Sequence, residues 1–372
     1  MLLRLSNVPR DYAWGSHRLL ADLEGRAASS APEAEVWFGD HPGDPADVAG
    51  GGTLDAVTGG GLPYLLKLLA AASPLSIQVH PTIAQARAGW EREAALAMDD
   101  PERNYRDDNH KPELIVALSD RFEALSGLRP VADTLRLLEE LGPAGAPLRA
   151  RLTAEGDVLG DTIGWLLTGG AQDDVDALIA AVRAAAASVE GEWAQTLRAV
   201  SGIAEAYPAD PGVAVALLMN HVVLRRGEGV FLRAGLLHAY LSGLGVEIMA
   251  ASDNVLRGGL TSKRIDVAEL LSVLDTTPTP VRVLHADAAG AYPVDVPDFA
   301  LRRIELSGAP VEVAVTGPAM VLATVGEVAV SAAHAAAIPV AVGTAVFASE
   351  DESSLTLTLT GSGEVFIAEP GR

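Results

Sequence analysis

The chain changes its vocabulary twice, and these two changes constrain its fold more than any other feature. Between Val131 and about Leu218, Ala- and Leu-rich segments repeat with a helical period over 131–141, 147–154, 158–167, 173–189, 192–206 and 212–219. Gly142-Pro143, Gly169-Gly170 and Pro208 separate them. Before this block, short apolar runs are punctuated by Gly50-Gly51-Gly52 and Gly59-Gly60-Gly61, with one predicted helix over 82–98 and Thr82 as its N-cap. After His221 the language of strands returns at 227–232 and 246–250. A short helix is predicted at 266–274, and from 281 onward strands alternate with Gly, Asp and Pro turns. Period-two alternation in 355–359 and 365–368 fits half-buried antiparallel strands. The pattern predicts a mainly β chain with an α-helical insertion, and many short strands point to sandwiches or jelly rolls.

At 372 residues, two or three domains are expected, and a hydrophobic fraction of 49% is ample for several cores. The expected division is discontinuous: 1–128 with 218–280 as one unit, 129–217 as the helical insertion, and 281–372 as a C-terminal β domain. The insertion carries no cluster of His or paired carboxylates and reads as a wall or lid. There is no cysteine, so disulfides, thiolate ligands and cysteine nucleophiles are excluded, and any metal must sit among His, carboxylate and amide groups. The first seven residues lack an apolar core long enough for a signal peptide. The apolar runs 62–75 and 213–224 are broken by Lys67 and by Asn220-His221, short of the roughly 20 residues a membrane span needs. The cytoplasm is the expected compartment. A net charge of −22 opposes nucleic acid and anionic membranes. A phosphorylated ligand would then need a local basic pocket, and Arg257, Lys263 and Arg264 offer one.

Four distant fragments offer what one divalent metal centre requires. In a strand, residues i and i+2 share a face, so Gln78 and His80 form a ligand pair while Val79 packs away. The same alternation puts Lys111 beside Glu113, with Pro112 keeping the segment extended. His238 follows an apolar strand and a Gly235 turn, as at the mouth of a β-barrel. One carboxylate, one amide and two imidazoles leave a divalent ion Lewis acidic, with room for substrate oxygens. The fourth fragment is the basic run from Asn254 to Lys263.

These fragments, with Tyr12-Ala13-Trp14-Gly15-Ser16 and Ala34-Glu35-Val36-Trp37-Phe38-Gly39, resemble the type I mannose-6-phosphate isomerases. The Gln-x-His-Pro, Asn-His-Lys-Pro-Glu and Asn-Val-Leu-Arg-Gly-Gly-Leu-Thr set, in this order, carries the resemblance. It covers 12–39, 63–81, 108–130 and 227–274, and it weakens through the helical block and the last hundred residues. Thr82 stands where an acidic or amide residue is commoner, and Ser262-Lys263-Arg264 replaces a usual Pro-Lys-Tyr. The resemblance implies a cupin-type jelly-roll catalytic barrel, a helical domain and a C-terminal β-barrel. It implies one divalent metal per chain, Zn²⁺, held by Gln78, His80, Glu113 and His238. It further implies catalysis by Arg257, acid-base work by Lys111 and His110, and phosphate contacts from Ser76 and Lys263.

The reaction so implied interconverts mannose 6-phosphate and fructose 6-phosphate through an enediol(ate). A base must abstract a carbon-bound proton, and a cation must stabilise the developing charge. Lys111 beside the metal and Arg257 is one candidate base, and His110, with an ordinary pKa near ~6.5, is the other. Strict alternation turns His110 away from Lys111 unless the strand bulges or ends there. Glu247 and Asp253 are assigned to the substrate-binding side, where they orient the ligands or Arg257. His17, His41, His221, His285 and His334 are left as structural or solvent-facing. The expected partner is a small sugar phosphate, with neither nucleic acid nor membrane, and a monomer is compatible with the sequence. Two other functions remain open: an Fe(II) cupin oxygenase, which Gln78 and the absence of a His-x-His strand disfavour, and a non-catalytic sugar-binding cupin, which Lys111 and Arg257 disfavour.

Overall fold

The computed structural model describes residues 1–333, 335–349 and 355–371, and His334 lies outside them. Strands dominate both ends of the chain, and the helices Val131–Glu139, Ala146–Leu152, Val158–Leu167, Gln172–Ala186, Ala194–Ala206 and Gly212–Leu217 fill the middle. Each matches a segment predicted from helical period to within two or three residues. The helix predicted over 82–98 is shorter, Ile83–Arg92. Its start is fixed by a reciprocal capping box in which Thr82 accepts from the Gln85 amide and the Gln85 side chain accepts from the Thr82 amide. No helix of the described residues is long and apolar enough to cross a membrane.

One strand organises the half that carries the metal motifs. His238–Ala250 pairs through 238–242 with Gln78–Val79 and Phe122–Leu128, and through 243–250 with Tyr64–Ala71 and Glu113–Ala117. A register irregularity between Tyr240 and Ser242, followed by Gly243 at φ 121°, lets it pass from one leaf of the sheet to the other. The helix-side leaf also contains Leu256–Arg257 and Met219–Leu224. The other leaf also contains Glu35–Phe38, Gly229–Leu232 and Val283–Leu284. The two leaves face each other as one ten-stranded sheet that does not close into a barrel among the described residues.

The pleat explains the layering. In Tyr64–Ala71 every residue is buried, because Leu65, Lys67, Leu69 and Ala71 face between the leaves while Tyr64, Leu66, Leu68 and Ala70 face a second sheet. That second sheet, eight-stranded, is built from strands within 300–332, 335–348 and 355–369 together with Leu2–Ser6 and Asp47–Val48. Phe347, Phe366, Leu322 and Leu5 meet the metal-site half across one apolar core. On the opposite side, Ile77, Val79, Leu125, Ala239 and Leu256 pack against the helical block. Arg129 pins the entry of that block to its exit. Its buried guanidinium donates to the carbonyls of Leu217 and Met219 at 3.1 and 2.6 Å, and burial brings its pKa down to about 10. The outcome is helices, leaf, leaf and sheet, with the functional residues between the two leaves.

Candidate metal centre

Register puts the ligands in reach of one another. His238 pairs with Gln78, and Gln78 with Arg257, so these three side chains leave one face of three adjacent strands in a row. From the facing leaf, Glu113 pairs with Met249, and Lys67 pairs with Glu247 one step along the same face. These residues meet in a cavity of about 530 Å³. It is lined by Gln78, Lys111, Glu113, His238, Arg257, Ser76, Lys263 and Glu247, and also by Trp14, Lys67, Tyr207 and Tyr240.

His80, Glu113 and His238 are all buried, and one ligand atom from each lies within 4.8 Å of the others. The His80 Nδ1 sits 2.7 Å from the Asn254 carbonyl and the His238 Nδ1 3.0 Å from the Leu236 carbonyl. A carbonyl can only accept, so both rings carry their proton on Nδ1 and turn an Nε2 lone pair inward. Those lone pairs face the Glu113 carboxylate at 3.2 and 3.4 Å, acceptor against acceptor. The His80 Nε2 is close to Glu113 without the alignment of a hydrogen bond, and it is a buried nitrogen with no partner. Only a cation among them turns this repulsion into attraction, so the donor set fits a divalent metal. Burial holds His80 neutral, with its pKa lowered to about 4. Burial alone would raise Glu113, but the Lys111 ammonium, 2.9 Å from its Oε1, holds it well below the carboxylate range. The Gln78 amide donates to Ser76 Oγ at 3.1 Å, and its carbonyl oxygen has no hydrogen bond among the described residues.

A charged chain backs this centre. Glu247 takes the Tyr240 hydroxyl at 2.8 Å and the Lys67 ammonium at 3.2 Å, and Lys67 in turn lies 3.8 Å from Glu35. The Trp37 indole donates to Glu35 at 2.8 Å. Burial raises the pKa of Glu247, whereas the two glutamates outweigh burial at Lys67 and keep it cationic. Sequence reading missed Lys67 and Tyr240 as site residues. The signal for Lys67 was visible, since a lysine at the centre of an apolar strand must have buried partners.

Arg257 and Lys263 have no carboxylate partner among the described residues. Burial and Arg106 lower the pKa of Arg257, and Arg257 and then burial lower that of Lys263. Cations crowded in this way await an anion. Both also line a second cavity, of about 510 Å³, with Arg106, Arg264 and Asp253. Two predicted residues lie elsewhere. The His110 Nε2 is bonded to Asp298 at 2.8 Å and does not line the metal cavity, as strict alternation dictates. Asp253 borders only the second cavity, where the His41 ring, 3.1 Å away, holds its carboxyl below the usual range.

The family model for the catalytic domain of type I phosphomannose isomerase matches residues 2–131. A mannose-6-phosphate isomerase of Salmonella typhimurium is 36% identical over 96% of this chain and 97% of its own. That of Escherichia coli is 39% identical over 82% and 84%, and that of Homo sapiens 30% over 83% of each. The crystal structure of the Salmonella typhimurium enzyme bound to fructose 6-phosphate and zinc superposes with a TM-score of 0.88, at 32% identity and over 100% of both chains.

Proposed function

The chain belongs to the mannose-6-phosphate isomerase family, and we infer that it interconverts mannose 6-phosphate and fructose 6-phosphate at the cavity beside the cluster of His80, Glu113 and His238. The observation that carries this reading is the pair of imidazole lone pairs turned onto one buried carboxylate. Zinc is the cofactor. Gln78, His80, Glu113 and His238 would hold it, and it would supply Lewis acidity toward the developing enediolate.

The chain's own residues do the rest. Lys111 faces the cavity beside Glu113, whereas His110 is engaged with Asp298 outside it, and this difference favours Lys111 as the group that moves the carbon-bound proton. Arg257 sets a guanidinium with no competing carboxylate against the enediolate charge. Lys263 and Ser76 take the phosphate, where a local cluster of cations overcomes the field of a chain at −22. Glu247 orients Lys67 and Tyr240 behind the metal ligand, and Asp253 borders the phosphate side. Trp14, Tyr12 and Tyr207 wall the cavity and exclude water.

In the same reading the two facing leaves are an open jelly roll of the cupin type, and the C-terminal sheet, which does not close into the expected barrel among the described residues, is a second β domain of jelly-roll character. The division into 1–128 with 218–280, 129–217 and 281–372 is supported by the confinement of the middle helices to 131–217. Leu2–Ser6 and Asp47–Val48 are then strands lent by the first unit to the last. On this reading the enzyme works in the cytoplasm, and a monomer is compatible with a metal cluster drawn from one chain. A coupled assay for fructose 6-phosphate formed from mannose 6-phosphate tests the reading. Turnover should vanish on chelation and return with about one Zn²⁺ per chain. Full activity in metal-free protein would refute the metal assignment.

A further inference from the structure

Beyond Arg257 the chain leaves the sheet as a loop, 258–263, that carries Lys263 back to the cavity, and regular structure holds only one side of it. There Gly258 donates to the Ile77 carbonyl at 2.8 Å, and the Ile77 amide donates to the Gly259 carbonyl at 3.1 Å. The amides of Leu260 and Thr261 point the other way, toward the end of the helical insertion. Asp210 meets them. Its Oδ1 accepts from Leu260 at 3.1 Å and from Gly212 at 2.7 Å, and its Oδ2 accepts from Thr261 at 3.1 Å. A carboxylate taking three backbone amides makes charge-assisted bonds, the strongest hold such a segment has.

Two further observations converge on this contact. Ala209 and Leu260, at φ 61° and 55°, are the non-glycine residues with left-handed backbone among the described residues, and each belongs to one side of the clamp. Such conformations persist where their surroundings enforce them, and they collect at working sites. The backbones also touch: a Cβ on Gly259 would come within 2.4 Å of the Gly212 Cα, and one on Gly212 within 2.6 Å of the Leu260 amide nitrogen. Tyr207, three residues before Asp210, lines the metal cavity and donates to the Pro74 carbonyl at 2.8 Å, so the insertion itself reaches the site next to the clamp.

We propose that Asp210 is a positioning residue for the isomerisation, through which the helical insertion fixes the loop that aims Arg257 and Lys263 at the substrate. The insertion is then a working wall of the active site. This inference rests on the roles given above to Arg257 and Lys263.

The test uses full-length, zinc-loaded Asp210→Ala and Asp210→Asn. Asp210→Ala should raise KM for mannose 6-phosphate and lower kcat by about tenfold each, with zinc content unchanged, because the metal ligands sit on other strands. Asp210→Asn should fall between it and wild type, since its amide nitrogen cannot accept one of the three bonds. Amide exchange at Leu260 and Thr261 should quicken at least tenfold in Asp210→Ala. In a Lys263→Ala background, Asp210→Ala should add less than about twofold to KM, because the side chain it aims is gone. Unchanged kinetics and exchange would overturn the proposal, as would losses that track zinc content or a KM effect that persists without Lys263. Should Asp210→Ala fail to fold, Asp210→Asn and its exchange rates decide the matter. Absence of turnover in the wild type would refute the isomerase reading instead, and the exchange rates would still report on the clamp.

Discussion

Glu113 faces two imidazoles and an ammonium with two oxygens, and Lys111 lies closest to it. If Lys111 is the acid-base group, Lys111→Met should lower kcat by about 10² or more while zinc stays near one per chain. Steady-state kinetics alongside metal analysis checks this, and near-normal kcat with zinc bound would move the role to another residue. Much of the site was legible from period-two reasoning alone: Gln78 with His80, and Lys111 with Glu113, share faces because strand side chains alternate. The same rule turned His110 outward, where it meets Asp298. Tyr240 and Asp210 were not legible as site residues, and Lys67 was legible only as a buried lysine whose partners the sequence does not name. Lys67 meets Glu247 through cross-strand register, Tyr240 meets Glu247 where their shared strand passes between leaves, and Asp210 acts through a tertiary contact spanning 50 residues. No local sequence pattern encodes these contacts.

At the level of elements, the helices were legible because their apolar period is long and unbroken. Two strands were not. The predicted 355–359 and 365–368 are ends of one strand, Leu355–Glu369, whose glycines at 361 and 363 read as a turn and instead bend a continuous ladder. His238–Ala250 was visible only in its second half, because Gly243 and Gly245 dilute the alternation. The pairing of Phe122–Leu128 with Met219–Leu224 carries a pH-dependent contact, the His221 ring 2.9 Å from Glu123, which lowers the glutamate's pKa to about 2, with a smaller effect from Arg121. A depressed folded-state pKa contributes stability that is present above the unfolded value of ~4.3 and lost as pH falls from there to about 2. Because Glu123 is half-buried, screening reduces the contribution to about 1 kcal/mol. Urea unfolding at pH 6 should therefore show Glu123→Gln less stable than wild type by about that amount, with the gap narrowing toward pH 2. A gap that stays constant across the range would assign the loss to packing.

Across the whole molecule, the N-terminal strand is a long-range tie. Leu2–Ser6 pairs with Ala345–Ala348 at the far end of the chain, a contact that sequence reading had no means to foresee. Leu5 is fully buried in the core shared by the metal-site half and the C-terminal sheet. Leu5→Ala should cost ~2–4 kcal/mol in urea unfolding and leave kcat and KM at 25 °C unchanged, because Leu5 touches the site only through the intervening leaf. A changed KM at full folded occupancy would show that the leaf transmits strain.

That leaf is used on both faces, and this limits how the gene can vary. In Glu113–Ala117 and Tyr64–Ala71, odd-numbered positions serve the metal cavity and even-numbered ones the core against the C-terminal sheet. Deleting or inserting one codon upstream within either strand exchanges the two sets, in Glu113–Ala117 presenting Leu114 to the metal cavity and Glu113 to Phe366 and its apolar neighbours. Lineages of this protein can therefore exchange side chains along these strands, but they cannot change the strands' length one residue at a time; insertions and deletions must accumulate elsewhere, in the turns and in the helical block.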